Sequence, residues 1–183
     1  MAFGNRLNPS FRKFIENQQV FFVATAGTDG AVNVSPKGLD SLRILGDDRI
    51  VWLNLSGSGN ETAAHLRSVN RMTLMFCAFE GDALILRVYG KAHTLHPRDQ
   101  GWHELIPLFA PMAGSRQIFD MTVERIQTSC GSGVPVMQFA SHRGSTELLP
   151  FYEQMGPDGV TDYWERKNAV SIDGKLTGTV QDG

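Results

Sequence analysis

Residues 21–38 read FFVATAGTDGAVNVSPKG, and this stretch contains the pattern that decides the fold. The segment Val20 to Ala26 is rich in β-branched and aromatic residues, and Ala31 to Lys37 resumes an extended pattern after residues 27–30, GTDG. Two extended segments joined by turn-forming residues are typical of a β-hairpin. The stretch therefore predicts a pair of antiparallel strands.

Further strand patterns follow along the chain. Leu42 to Leu45 and Ile50 to Leu55 flank a polar turn, and Arg71 to Phe79 and Ala83 to His96 flank a second one. Gln117 to Thr128 alternates apolar and polar residues imperfectly, as a last long strand would. Six or so antiparallel strands connected by hairpins favour a closed or split β-barrel, because closure removes exposed sheet edges.

Helical patterns stand around these strands. Asn8 and Pro9 can cap and open a short helix that runs to about Gln18. Helices are also predicted at Glu61 to Val69 and at Arg98 to Phe109. The fold class is therefore predicted to be mainly β with α, a split β-barrel with helices at its rim.

The pattern changes beyond residue 130. Gly131-Ser132-Gly133 breaks the chain, and helical patterns follow at Thr146 to Met155 and at Thr161 to Ala169. These helices carry too few apolar residues to fold separately. We expect residues 1–130 to form the barrel and residues 131–183 to form a C-terminal helical extension that packs on the barrel or on a partner subunit.

The composition and charge of the chain argue against several classes of protein. The 183 residues are 42% apolar and 20% charged, and 17 basic against 19 acidic residues give a net charge of −2. No basic block is present, so nucleic acid is not an expected partner. The apolar run Met72 to Phe79 is too short to span a bilayer, and Met1 to Lys13 lacks a secretion signal. We expect a cytoplasmic protein that does not contact membranes, with Cys77 and Cys130 reduced.

Residues 56–62, SGSGNET, are the first candidate for binding chemistry. They place hydroxyls, an amide and unpaired backbone N–H groups at the start of a predicted helix, an arrangement that can cradle a phosphate. The alternative is that Asn60 caps the helix while Glu61 and Thr62 adjust its first turn. Both interpretations stay open on sequence grounds.

The polar segment at residues 33–38, NVSPKG, is the second candidate, because a buried strand would be apolar there. Lys37 could meet an anion, or it could be a solvated lysine on an edge strand, where Pro36 is tolerated.

Histidines and cysteines give weaker signals. His93 and His96 stand three apart on a strand and so point to opposite faces, which predicts no metal site there. His65 fits a hydrogen-bonded structural residue better than a base. Cys130 is a potential nucleophile, but the role of a small residue in a tight turn explains it better.

Four segments, taken in order and spacing, resemble the pyridoxamine 5′-phosphate oxidase-like FMN-binding split-barrel family. They are residues 21–38, quoted above, 51–66 (VWLNLSGSGNETAAHL), 70–79 (NRMTLMFCAF) and 86–92 (LRVYGKA). Residues 127–135 (QTSCGSGVP) and 167–174 (KNAVSIDG) are similar to one bacterial subgroup of that family.

The resemblance implies a homodimer with two FMN sites at the subunit interface. It implies that the phosphate lies near the SGSGNET loop, that the flavin ring lies against the strand bearing NVSPKG, and that Cys130 lies near the pocket. The residues implied to contact FMN are Ser35, Pro36, Lys37, Gly38, Asn54, Ser58, Gly59, Asn60, Glu61, Thr62 and Cys130.

The chain departs from the true oxidases of that family at two places. Ser35, Glu61 and Thr62 stand where those enzymes are richer in basic residues, and the end of the chain, SIDGKLTGTVQDG, lacks their Arg- and Trp-bearing substrate motif. The vitamin is therefore not the expected substrate. The resemblance predicts an FMN-dependent oxidoreductase acting on an unidentified small molecule, with Lys37 stabilising the anionic reduced flavin.

Two other functions stay open. One is a non-catalytic flavin-binding store or redox sensor, because no substrate-binding acid or base is recognisable. The other is a barrel that binds haem or a deazaflavin instead of FMN, which the reduced basic content of the phosphate loop suggests.

Overall fold

A computed structural model describes residues 3–180 of the chain, and within them the protein has eight β-strands and four α-helices. The strands are β1 (Phe3–Gly4), β2 (Phe21–Thr25), β3 (Asn33–Lys37), β4 (Leu42–Ile44), β5 (Arg49–Leu55), β6 (Met72–Cys77), β7 (Ile85–Leu95) and β8 (Ser115–Ser129). The helices are α1 (Pro9–Glu16), α2 (Glu61–Ser68), α3 (Gln100–Leu105) and α4 (Leu149–Lys167).

The strands form one curled antiparallel sheet, a half-barrel. Seven of them follow the order β3-β2-β6-β7-β8-β5-β4, and β1 pairs with β8. The three predicted hairpins, β2–β3, β4–β5 and β6–β7, are all confirmed. The predicted fold class, mainly β with α, is confirmed as well. Strands β3 and β4 stand at the two ends of this order.

The two longest strands, β7 and β8, form the centre of the sheet and carry its bend. Their register shifts between Tyr89 and Gly90. A Cβ on Gly90 would collide with the carbonyl oxygen of Thr122, so only glycine fits this close approach of the two backbones. A bulge at this point bends the paired strands, as curvature of a half-barrel requires.

Two groups of buried side chains hold the sheet. The inner one stacks Trp52 on Phe119, with ring centroids 4.5 Å apart, and includes Phe21 and Phe76. The second group packs α3, through residues such as Trp102, against the opposite face of β5 and β8. Both groups lie within residues 7–126.

The helix predictions hold with changes at the ends. Asn8 caps α1 by accepting a hydrogen bond from the N–H of Phe11 at 2.8 Å, as predicted. The helix predicted at Arg98 to Phe109 is shorter, because α3 passes into a single 3₁₀ turn, Ile106–Leu108, where Pro107 cannot donate to an α-helical ladder. Among residues 3–180, none of the helices has the length and apolar character needed to cross a bilayer.

The two helices predicted beyond residue 130 form one interrupted helix, α4. Gly156 breaks it with φ 72° and ψ 168°, immediately before Pro157. Near the start of α4, Tyr152 covers Gly114, where a Cβ would come within 2.6 Å of the ring. Gly114 also has φ +76°, a backbone conformation that favours glycine. In this chain α4 therefore contacts the barrel itself.

Candidate functional site

A cleft of about 1340 Å³ opens where β3 and β5 end. Its walls come from these strand ends, from the end of α1 and from residues 137–144. Four of the residues implied to bind FMN line it together: Pro36, Lys37, Gly38 and Asn54. A cleft of this size exceeds the usual volume of small-molecule sites, roughly 300–1,000 Å³.

Lys37 is the charged residue that the strand pattern directs into this cleft. Residues Asn33, Ser35 and Lys37 are partly buried while Val34 and Pro36 are exposed, as the twofold alternation of a strand requires. The Nζ of Lys37 lies 5.5 Å from the centroid of the Trp52 ring. Burial, and secondarily the positive charge of Arg116, lower the pKa of Lys37 from its usual 10.5 to about 8. β3 is an edge strand, as one of the two interpretations of Lys37 required. The lysine itself is partly buried, however, and not fully solvated.

Arg116 is the second cation of this region, and the sequence analysis missed it. Its side chain is 2% exposed, and its Nη1 donates to the carbonyl oxygen of Gly59 at 3.1 Å. Its Nε has no hydrogen-bond partner within the described part of the chain, and burial lowers the pKa of Arg116 to about 10. The only sequence signal is a charged residue near the start of β8, two residues before the first apolar position, Ile118.

A buried polar network lies behind the cleft. The Nδ2 of Asn54 donates to Gln117 at 3.2 Å, and Gln117 in turn donates to the Thr179 hydroxyl at 2.9 Å. Asn60 donates to the same hydroxyl at 2.5 Å. Asn60 occupies the cap position of α2, yet its side chain makes no capping hydrogen bond. The interpretation of Asn60 as a side-chain cap is therefore wrong, because Thr179 from the end of the chain engages its amide.

The remaining loop residues lie beside the C-terminal segment, residues 168–180. Ser58 and Gly59 are exposed, while the hydroxyl of Thr62 accepts from the Asn33 amide at 3.2 Å. Nearby, Trp164 donates its indole N–H to Ser56 at 2.6 Å, and the amide of Asn168 donates to the carbonyl of Gly57 at 2.8 Å. The phosphate role of residues 58–62 stays a prediction.

Ser35 and Cys130 lie apart from the cleft lining. Ser35 is half-buried on β3, and Cys130 is exposed just after β8. Hydrogen bonds, chiefly from the backbone of Ser132, lower the pKa of the Cys130 thiol. Its neighbour Gly131 has φ +72° and approaches Leu84, a residue that does line the cleft.

The chain matches the model of a known protein family. The family model described as pyridoxamine 5′-phosphate oxidase matches residues 7–130. The chain belongs to this family. The resemblance seen in the sequence is thereby confirmed, and the matched residues include the hairpin, Lys37, the SGSGNET loop and Arg116.

A relative from Aspergillus flavus is named pyridoxamine 5′-phosphate oxidase family protein ustO. It is 31% identical over 156 residues, a match that covers 82% of this chain. The chain spans 62% of the length of that relative. The family is thus shared, and the activity of this chain is a separate question.

Two solved structures share the fold. HupZ of Group A Streptococcus is 21% identical with a TM-score of 0.56, and the match covers 72% of this chain and 99% of HupZ. A candidate pyridoxamine 5′-phosphate oxidase from Lactobacillus delbrueckii is 16% identical with a TM-score of 0.53, covering 68% of this chain and 95% of that protein. At these identities the likeness concerns the fold alone.

Proposed function

We propose that the chain binds FMN in the cleft at the ends of β3 and β5 and uses it as an oxidoreductase on a small organic molecule. Membership of the pyridoxamine 5′-phosphate oxidase family supports a flavin phosphate as the ligand class. The observation that carries the proposal is the pair of cations, Lys37 in the cleft and buried Arg116 close enough to lower the Lys37 pKa. Two cations in a desolvated region favour an anionic ligand.

Lys37 has the chemistry that a reduced flavin needs. FMN, when bound, supplies hydride or electron transfer, while the protein supplies position and electrostatics. With a pKa of about 8, Lys37 is mostly protonated at pH 7 and can face a developing negative charge. A charge held in a partly desolvated site is already oriented when the flavin becomes anionic. Lys37 would thereby raise the flavin's reduction potential.

Asn54 and the cleft walls would hold the remainder of the ligand. Asn54 is 3% exposed and fixed by Gln117, so its amide has one orientation to offer. Apolar and aromatic residues, among them Phe22, Leu53 and Phe139, line the same cleft. Flat apolar surfaces of this kind suit an isoalloxazine ring.

The proposal includes a homodimer. Val34 on the exposed face of β3 is 60% exposed, and Val32, directly before the strand, is 71% exposed. Apolar residues on an unpaired edge strand are a liability unless another surface covers them. Light scattering after gel filtration tests this part: we expect a dimer, with Val34→Glu shifting it toward monomer. A monomeric wild-type protein would refute it.

The main test is the visible spectrum of the purified protein after incubation with FMN and gel filtration. We expect a flavin spectrum at one FMN per chain that bleaches on anaerobic mixing with a reduced nicotinamide. A bound flavin that no donor reduces would refute the enzyme and leave a store or sensor. A haem band or a deazaflavin spectrum, without FMN retention, would refute FMN as the ligand.

A further inference from the structure

A second cluster of charged groups lies away from the cleft, at the start of α2. Glu61 and His65 come from one face of that helix, and Asp173 comes from the C-terminal segment. One carboxylate oxygen from each acid and one ring nitrogen of the histidine all lie within 4.8 Å of one another. None of the three lines the FMN cleft.

His65 supplies the observation that an acidic cluster alone would lack. Its side chain is 3% exposed, and its Nδ1 shares a hydrogen bond of 3.0 Å with the hydroxyl of Thr25. Its Nε2 is buried and has no hydrogen-bond partner among residues 3–180. When Nδ1 donates its proton to Thr25, Nε2 presents a free lone pair, which is the arrangement of a metal-binding histidine with its outer partner. Buried polar atoms are seldom left without any partner.

The two carboxylates are also held from outside the cluster. Both oxygens of Glu61 lie 3.1 Å from the donating N–H of Ile172, and Asp173 accepts from the N–H of Ala31 at 3.0 Å. These hydrogen bonds bring the acids together despite their like charges, which repel at short range. The backbone donors therefore offset part of the repulsion between the two carboxylates, and a bound cation would offset the rest.

We propose that Glu61, His65 and Asp173 bind a divalent transition-metal ion, with Zn²⁺ as the probe. One imidazole nitrogen with two carboxylates suits Zn²⁺ better than Mg²⁺ or Ca²⁺, which prefer oxygen ligands throughout. Tetrahedral Zn²⁺ with bonds of about 2.1 Å holds its ligand atoms roughly 3.4 Å apart. The three groups would have to close by about 1.4 Å at most, which rotation of the two half-exposed carboxylates can supply.

The ion would act as a clamp. It would tie residues 168–180, through Asp173, to the helix that follows the SGSGNET loop, and leave a fourth position for water. A ligand that binds the folded state alone raises its stability by mass action. The chain should therefore gain thermal stability from the ion only while the three ligands are intact.

Calorimetric titration of Zn²⁺ into the full, chelator-treated chain tests the proposal. We expect one Zn²⁺ per chain and a rise in Tm on adding it. Asp173→Asn and Glu61→Gln should each weaken Zn²⁺ binding at least tenfold and abolish the rise in Tm. His65→Gln should do the same, but His65 is buried, so the two acid variants keep the test valid if that one fails to fold.

Asp29→Asn is the matched control. Asp29 is an exposed acid on the same side of the molecule, and it pairs with Lys175 of the C-terminal segment at 3.2 Å. This variant removes one negative charge and one anchor of the segment but no proposed ligand, so it should bind Zn²⁺ like the wild type. Absence of stoichiometric binding, or equal affinity in Asp173→Asn and the wild type, would overturn the proposal. FMN retention, measured separately, does not depend on either result.

Discussion

Two regions of the molecule differ in charge. The cleft lining contains three cations, Lys13, Lys37 and Arg143, and two acids, Glu80 and Asp82. Buried Arg116 lies near Lys37, and the start of α2 gathers Glu61 and Asp173 around His65. An anionic ligand is attracted to the first region and repelled by the second, unless a cation occupies the second. The comparison shows that membership of the pyridoxamine 5′-phosphate oxidase family does not make every polar loop of the fold suitable for an anion.

Lys37→Met should have the largest effect on ligand binding in the cleft. Removing the Lys37 ammonium eliminates a charge-assisted contact with the ligand, which contributes about 1.5–3 kcal/mol. FMN affinity should fall roughly 10- to 100-fold, since 1.4 kcal/mol is a factor of ten. Flavin fluorescence quenching measures it, and Lys91→Met, which removes an exposed lysine paired with Glu124, is the control that should leave affinity unchanged. Equal affinity in both variants would remove Lys37 from the site.

The pH dependence of FMN binding should be the next largest effect. Lys37 has a pKa of about 8 in the free protein, and an anion nearby raises it. Binding should therefore take up protons near pH 8–9, and affinity should fall by up to about tenfold per pH unit above pH 8. Calorimetry in buffers of different ionisation enthalpy detects the proton uptake. The dependence should disappear in Lys37→Met; if it persists there, another group is responsible.

Trp164→Phe tests how α4 is attached at the edge of the cleft, where its partner Ser56 is a lining residue. It removes the 2.6 Å hydrogen bond from the indole to Ser56 while keeping an aromatic ring, at a cost of about 1 kcal/mol. Tm should fall by a few degrees, as expected for a domain of this size. FMN affinity should stay within about twofold, because Ser56 keeps its own hydrogen bond to the carbonyl of Gly114 at 2.8 Å and so stays in place in the cleft lining. A gain in affinity would indicate that residues 58–62 bind phosphate once α4 loosens.

The smallest effect concerns the stability of the ligand-free chain. The Lys37 pKa is lower folded, about 8, than unfolded, near 10.5, so between these values the unfolded state binds more protons. Lys37 therefore contributes a destabilisation that is present below pH 8 and is relieved as the pH rises toward 10.5. Solvent screening of a partly exposed ammonium keeps this small. Urea unfolding should show that the free energy of unfolding rises more between pH 7.5 and pH 9.5 in the wild type than in Lys37→Met. An equal rise in both proteins would contradict the lowered pKa of Lys37.

The predictions made from the sequence succeeded where the signal is local. The hairpins and the N-cap of α1 follow from alternation and turn chemistry within a few residues, whereas the sequence left open whether Lys37 is buried or solvated. The role of Asn60 could not be predicted in this way. Its partner, Thr179, comes from the far end of the chain, and nothing near Asn60 in the sequence signals it.

The amino-acid sequence by itself determined the strands, their pairing into hairpins and the family. These depend on side-chain periodicity and turn residues, which act between neighbours along the chain. Only the tertiary structure decided that Arg116 lies near Lys37, and that Asp173 joins Glu61 and His65. Such contacts join residues far apart in sequence, so their distances follow from the strand order of the curled sheet and the path of the C-terminal segment.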